Sequence, residues 1–271
     1  MRGKKTAWII CMAGLCLVLY TIVISRMDRM ENVILGGVDG AFVNSDSVSF
    51  IDLNAVATPE PTEDIWPQID ITMWQYPLVN DDNLLSSAFQ PEVSQISTTN
   101  YMMFSTAALP YLEALIEDMT DHGFSVYVGG AYRSYSYQAQ LFNGKASQIA
   151  YGLGTTDYMD PLYQQAAEEA RKITMFPGSS EHQLGLAVDL MDRAYSQLIY
   201  DNMNQDFFEY LDSICADYGF IKRYPTRKLL LTGWDEPWHY RYVGEEAAHF
   251  IMENGLCYEE FYAHYVPDFE F

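Results

Sequence analysis

The sequence predicts an α+β fold, a small central antiparallel sheet flanked by helices and preceded by one transmembrane helix. Three observations predict it. Apolar residues recur at helical spacing in several segments, short β-like runs stand between those segments in mixed order, and an almost wholly apolar stretch from Ala7 to Ile24 opens the chain.

That opening stretch follows "MRGKK" and meets "SRMDRM". A cleaved leader has an apolar core of roughly 7–15 residues and a small-x-small cleavage site. "YTIVISRMD" offers no such site, so residues 1–30 are expected to be a cytoplasmic tail and an uncleaved single-pass anchor. Arg2, Lys4 and Lys5 favour a cytoplasmic tail, although Arg26 and Arg29 weaken the asymmetry, and the remainder is expected outside the cell membrane. Cys16 follows the bulky Leu15 where lipid-attachment signals favour a small residue, which argues against lipidation.

Residues 31–74 read as an extracytoplasmic stalk, since Pro59, Pro61, Pro67 and scattered acids leave no sustained period. A compact domain is expected over 75–271, with no internal repeat. "STAALPYLEALIEDMTDHGF" has helical spacing at Leu109, Leu112, Leu115 and Ile116, with Ser105 as its cap and Gly123 as its stop. "FSVYVGGAYRS" reads as a strand entering a glycine turn. A second helix is expected from about Ser136 to Ala150, and a third opens at Asp160-Pro161, where aspartate caps and proline suits the first turn.

In "LGLAVDLM" the alternation puts Leu186, Val188 and Leu190 on one strand face and Ala187, Asp189 and Met191 on the other. A helix is expected over about Asp206 to Tyr218. β-like runs follow at "FIKRY", "KLLLT" and "WHYRYV", then a terminal helix with Glu246, Ala247, Phe250 and Ile251.

Composition narrows the function. The chain carries 15 Lys and Arg against 37 Asp and Glu, a net charge of -22, and the first thirty residues hold five of the bases and one acid, which leaves -26 on the rest. Such a surface excludes nucleic acid as a partner and argues against a polybasic grip on anionic lipid or wall polymer. Of four cysteines, Cys11 and Cys16 lie in the apolar span, and whether Cys215 and Cys257 pair is open.

The chemistry gathers in three segments. In "GSSEHQLGLAVDLMD", His182 precedes Gly185, which permits a sharp turn, and Asp189 sits on a strand behind small Ala187. On this segment alone, a metal pair and an ordinary loop histidine beside a solvated aspartate stand level. In "GWDEPWHYRYVG", Pro237 disfavours a helix of the H-E-x-x-H kind, and a turn running into a strand fits better. His239 and Arg241 then share a face opposite Trp238 and Tyr240, with Glu236 near the metal but not ligating it. Two histidines and one aspartate fill three positions of a tetrahedral zinc ion and leave the fourth for a water whose pKa falls to about 7. Glu236 would then act as general base and later general acid. In "GGAYRSYSYQ", Arg133 ends a strand and Gln138 follows on a helix, so a guanidinium there could meet an oxyanion. Taken singly, each of these two is more simply an ordinary surface residue. His122, His249 and His264 have no partner pattern and read as structural or surface residues.

Together, "YRSYSYQ", "SSEHQLGLAVDL" and "EPWHYRYVG" resemble, in order and spacing, the VanY-type D-alanyl-D-alanine carboxypeptidases, zinc peptidases of the D-Ala-D-Ala carboxypeptidase and hedgehog-like group. The likeness extends over roughly Gln75 to Tyr262. It implies a hedgehog/D,D-peptidase-like fold, one zinc ion on His182, Asp189 and His239, a catalytic base at Glu236 and a transition-state arginine at Arg133. It also implies substrate contacts from Ser180 and Gln138, and an aromatic wall of Trp238 and Tyr224 around the terminal D-residue. The chain departs from the pattern at Asp81 and Asp82, which follow Asn80 where many members carry a basic residue. The implied function is removal of the terminal D-alanine from peptidoglycan stem pentapeptides. The alternatives are an L,D-carboxypeptidase that trims tetrapeptide stems and an inactive wall-binding module; the intact Glu236 speaks against the latter. A dipeptidase of free D-Ala-D-Ala fits the "EPWHYRYV" form less well.

Overall fold

The computed structural model describes residues 66–269. The predicted anchor at 1–30 and residues 31–65 of the predicted stalk lie outside them. No helix among the described residues is long and apolar enough to cross a membrane.

The folded chain is α+β. A short hairpin of β1 (Val93–Gln95) and β2 (Met103–Ser105) leads into α1 (Leu109–Asp121), then β3 (Tyr127–Gly130), α2 (Tyr135–Leu153) and α3 (Pro161–Arg171). A 3-10 turn at Glu181–Leu184 opens onto β4 (Ala187–Met191). α4 (Gln205–Ile214), β5 (Phe220–Tyr224), β6 (Glu236–Tyr242), α5 (Glu245–Asn254) and α6 (Tyr258–Tyr265) complete the chain. The central sheet is wholly antiparallel in the order β3-β4-β6-β5.

Alternation along the strands divides the sheet into two chemically different faces. Val188, Leu190 and Tyr240 turn into the main core, where Leu112, Leu115 and Met119 of α1 and Phe207, Phe208 and Leu211 of α4 cover them. The opposite parity carries Asp189, His239, Arg241 and Arg223, all buried. A second core lies around α5 and α6, with Ile221 and Val243. α2 and α3 form a helical hairpin with its own small core of Phe142, Ala146, Tyr163 and Ala166.

The local signals read from the sequence act mostly as expected. Asp160 caps α3 by accepting from the Leu162 N–H at 2.9 Å, with Pro161 in the first turn. Ser134 caps α2, accepting from the Tyr137 N–H, and Gly154 ends it in the left-handed region.

Several expectations need correction. Ser105 is not the cap of α1: it ends β2, where its N–H donates to the Gly185 carbonyl, and the helix starts four residues later behind Ala108 with Pro110 in its first turn. "KLLLT" is not a strand but a helical turn at Leu229–Thr232, closed by Gly233 at φ 73°. α6 and the β1-β2 hairpin went unread because both are short and weakly periodic. The packed body also begins earlier than residue 75. Trp66 stacks on His264 at 3.9 Å and lies 4.5 Å from Phe250, while the Tyr265 hydroxyl donates to the Pro67 carbonyl. Proline-rich spacing there disguised apolar anchors. Cys215 and Cys257 are both buried free thiols.

Candidate metal centre and cleft

The fold brings the predicted ligands together by strand register. Asp189 at the middle of β4 pairs directly with His239 on β6 and, on its other side, with Gly130 on β3. Directly opposed residues of antiparallel strands project to the same face. His182 arrives from the 3-10 turn, and Gly185, at φ 72°, reverses the chain between His182 and β4 as its sequence position suggested. One ligand atom from each of His182, Asp189 and His239 lies within 4.8 Å of the others, the one such group of His, Cys, Asp or Glu residues among the described residues, and all three are buried.

The hydrogen bonds set the chemistry of these donors. His182 Nδ1 lies 2.8 Å from the Ala131 carbonyl, which can only accept, so Nδ1 carries the proton and the Nε2 lone pair faces Asp189 Oδ2 at 3.3 Å. His239 is turned the other way. Its Nδ1 faces Asp189 Oδ1 at 3.2 Å, and its Nε2 faces Glu181 Oε2 at 3.4 Å. Burial, with the nearby Arg133, lowers His182 to about 4. Burial would lower His239 as well, but its bonds to Asp189 and Glu181 outweigh that and hold it up at about 9. For Asp189, burial opposes ionisation, yet His182, His239 and Arg133 hold its carboxyl well below the usual range. Two imidazoles and an ionised carboxylate, converging in a buried pocket with a satisfied proton on His182 Nδ1, fit a divalent zinc-type ion.

A β-bulge between Val128 and Gly130 ends β3 beside Asp189 and re-aims the chain toward Arg133. Arg133 Nη2 donates to Asp189 Oδ2 at 2.9 Å. Gly130 lies under this pair: a Cβ there would stand 2.3 Å from Asp189 Oδ2 and 2.6 Å from Arg133 Nη2. Glu236 opens β6, with Oε2 3.7 Å from His239 Nδ1, and burial pushes its carboxyl up to about 7.

A cleft of about 560 Å³ exposes this centre, lined by Arg133, Gln138, His182, Asp189, Glu236 and Trp238 among others. Gln138 donates from Nε2 to the Met175 carbonyl at 2.7 Å, which leaves its buried Oε1 without a partner. The remaining two predicted contacts sit elsewhere. The Ser180 hydroxyl is buried without a hydrogen-bond partner and does not line the cleft. Tyr224 lies behind the site with its ring 4.9 Å from that of His239, and it lines a separate cleft of about 350 Å³ with Pro237. It is buried and absent from the lining of the open cleft, so it is no wall of it, even though the register pairs it with Glu236 across β5 and β6.

Sequence reasoning missed Glu181. It is fully buried, its Oε1 accepting from Arg223 Nε and Arg241 Nη1, both at 2.8 Å. Arg223 also clasps Glu259 through Nη1 and Nη2, and Arg241 donates through Nη2 to the carbonyls of Gln75 and Pro77. Burial opposes ionisation of Glu181, but the two guanidiniums hold its carboxyl far below the usual range. A glutamate next to a candidate ligand was the only local signal. The other three charges of the cluster come from distant segments. The other three histidines lie at the surface, within the structural-or-surface reading: His122 stacks on Tyr210, His264 on Trp66, and His249 pairs with the exposed Asp217.

Comparison with known proteins identifies the family. The VanY D-alanyl-D-alanine carboxypeptidase family model matches residues 102–245. A D-alanyl-D-alanine carboxypeptidase of Enterococcus faecalis is 36% identical over 196 residues, covering 72% of this chain and 68% of that one. Among solved structures, the vancomycin-resistance D,D-pentapeptidase VanY of a VanB-type cassette in complex with Zn(II) is 34% identical, with a TM-score of 0.57 over 70% of this chain and 99% of that one. VanYB in complex with D-alanine-D-alanine is 33% identical, with the same TM-score, over 73% of this chain and 100% of that one. The LdcB LD-carboxypeptidase is 27% identical, again at 0.57, over 68% and 84%. With its ligand spacing, sheet register and matched segment all in accord, the chain belongs to the VanY family of D-alanyl-D-alanine carboxypeptidases.

Proposed function

We propose that this protein is a membrane-anchored, extracytoplasmic zinc carboxypeptidase that removes the terminal D-alanine from peptidoglycan stem pentapeptides. The observation that carries the reading is the convergence of His182, Asp189 and His239, two of which, His182 and Asp189, line a cleft together with Glu236 and Arg133. The anchor is residues 1–30, and the polar stretch after it, as far as about Trp66, spaces the folded domain from the membrane.

One zinc ion, held by His182, Asp189 and His239, supplies Lewis acidity and a water of lowered pKa. The rest is the work of the chain. Glu236 takes the proton of the attacking water on its carboxylate and returns it to the departing D-alanine amine, and its raised pKa suits both halves of that task. Arg133, fixed against Asp189 at the cleft edge, compensates charge on the former carbonyl oxygen. The free Oε1 of Gln138 is an acceptor for a substrate N–H, and Trp238 gives the cleft an aromatic side. The acidic surface suits a substrate met by local cations, not by bulk charge.

The similarity to LdcB supports a second reading, an L,D-carboxypeptidase acting on tetrapeptide stems, because the same hydrolytic centre serves both and only the pocket beside the scissile bond differs. Mass spectrometry of penta- and tetrapeptide stems incubated with the protein, with zinc and with chelator, separates them. Zinc-dependent loss of one D-alanine from the pentapeptide alone supports the D,D reading. Trimming of the tetrapeptide moves the assignment to L,D, and cleavage of neither leaves a binding module.

A further inference from the structure

Four charged side chains, Glu181, Glu259, Arg223 and Arg241, lie fully or almost fully buried behind His239. Burying charge is costly unless each group is paired, and replacing such clusters with apolar residues is often neutral for stability. A bland structural role therefore accounts poorly for placing all four directly behind a candidate ligand. From this arrangement we infer that Glu181 is a positioning residue that holds His239 in the Nε2–H tautomer, so that Nδ1 is the atom presented to the metal.

The geometry gives each atom of Glu181 one task. Oε1 is taken by Arg223 and Arg241, and Oε2 is left for His239 Nε2. A carboxylate only accepts, so the proton between them belongs to the imidazole. The two arginines fix the carboxylate from two strands: Arg241 is two residues beyond His239 on β6, hence on the same face, and Arg223 stands on β5. Glu259 balances the second guanidinium from α6 without touching His239. The two histidines are thus held in opposite tautomers by different partners: His182 keeps its proton on Nδ1 against the Ala131 carbonyl, and His239, with a metal taking the place of the proton between Nδ1 and Asp189, keeps its own on Nε2 against Glu181.

This inference rests on the zinc reading above, and its test separates the two. In the zinc-loaded full chain with ¹⁵N-labelled histidine, long-range ¹H–¹⁵N spectra are expected to show His239 protonated at Nε2 and metal-bound at Nδ1, with the reverse in His182. Metal on Nε2 of His239 overturns the inference, whereas a chain that takes up no zinc sinks the proposed metal site itself. Chelator competition supplies a second arm. In Glu181→Gln the single amide oxygen stays with the arginines and an NH2 donor turns toward Nε2, favouring the wrong tautomer, so zinc affinity is expected to fall by about 10–100-fold. Glu259→Gln removes a carboxylate from the same buried cluster and is expected to keep affinity within about threefold. Equal losses in both, or none in Glu181→Gln, overturn the positioning role. If Glu181→Gln does not fold, the wild-type spectrum decides alone.

Discussion

Gly130→Ala offers a sharp steric test of the site. Its φ lies outside the positive region, so the backbone tolerates alanine, and the whole effect must come from the added methyl. That methyl would sit 2.3 Å from Asp189 Oδ2 and 2.6 Å from Arg133 Nη2, against a comfortable separation of about 3.4 Å. One or both groups must therefore move by roughly 1 Å, and a misplacement of that size at a reacting centre costs about 10²-fold in rate. That corresponds to about 2.7 kcal/mol of transition-state stabilisation. The assay is kcat/KM for D-alanine release together with zinc affinity, alongside the control Gly144→Ala. Gly144 lies within α2 with nothing within 4 Å of a built Cβ, so alanine there should stabilise the fold by about 1 kcal/mol and leave the rate alone. If Gly130→Ala keeps its rate and its zinc within threefold of the wild type, the placement of Asp189 and Arg133 over that glycine is wrong.

Glu236→Gln should keep zinc and lose turnover by about 10²–10⁴-fold, whereas His239→Ala should lose both; full metal retention in His239→Ala, by metal analysis, would remove it from the ligand set. Arg133→Ala should lower kcat by about 10²–10³-fold, and an unchanged kcat would end its proposed role. Because burial raises Glu236 to about 7 and a general base must be ionised, kcat/KM should decline on the acid side, with a midpoint at or below about 7 once a cation binds beside it; a rate flat from pH 8 to pH 4 would exclude Glu236 as the base. The same shift has a stability consequence in the metal-free protein. A carboxyl raised in the folded state costs stability as pH climbs from its unfolded value toward its folded one, so Glu236→Gln should raise the metal-free Tm by a few degrees at pH 8 and little at pH 4. An equal effect at both pH values, read by thermal melts, would show that the carboxylate is not desolvated.

By itself the sequence determined what is local. The alternation in "LGLAVDLM" put Asp189 on the face opposite Val188 and Leu190, Gly185 marked the turn after His182, Asp160-Pro161 opened a helix, and Pro237 disfavoured a helical ligand pair, because each of these is a property of a few neighbouring backbone dihedrals. The same locality explains the failures. Ser105 offered good cap chemistry but was claimed by a strand whose N–H met Gly185, eighty residues away in the chain, and "KLLLT" had the composition of a strand without a partner to pair with. Trp66 looked like linker because its partners, Phe250 and His264, come from the other end of the chain. Only the tertiary structure decided that Asp189 opposes His239, that Gly130 must lack a side chain, that Tyr224 stands behind the site, and that Glu181 lies between two arginines. The physical reason is that strand register and burial are set by packing between segments tens of residues apart, and no period along the chain records which distant side chain will fill the space beside a given one.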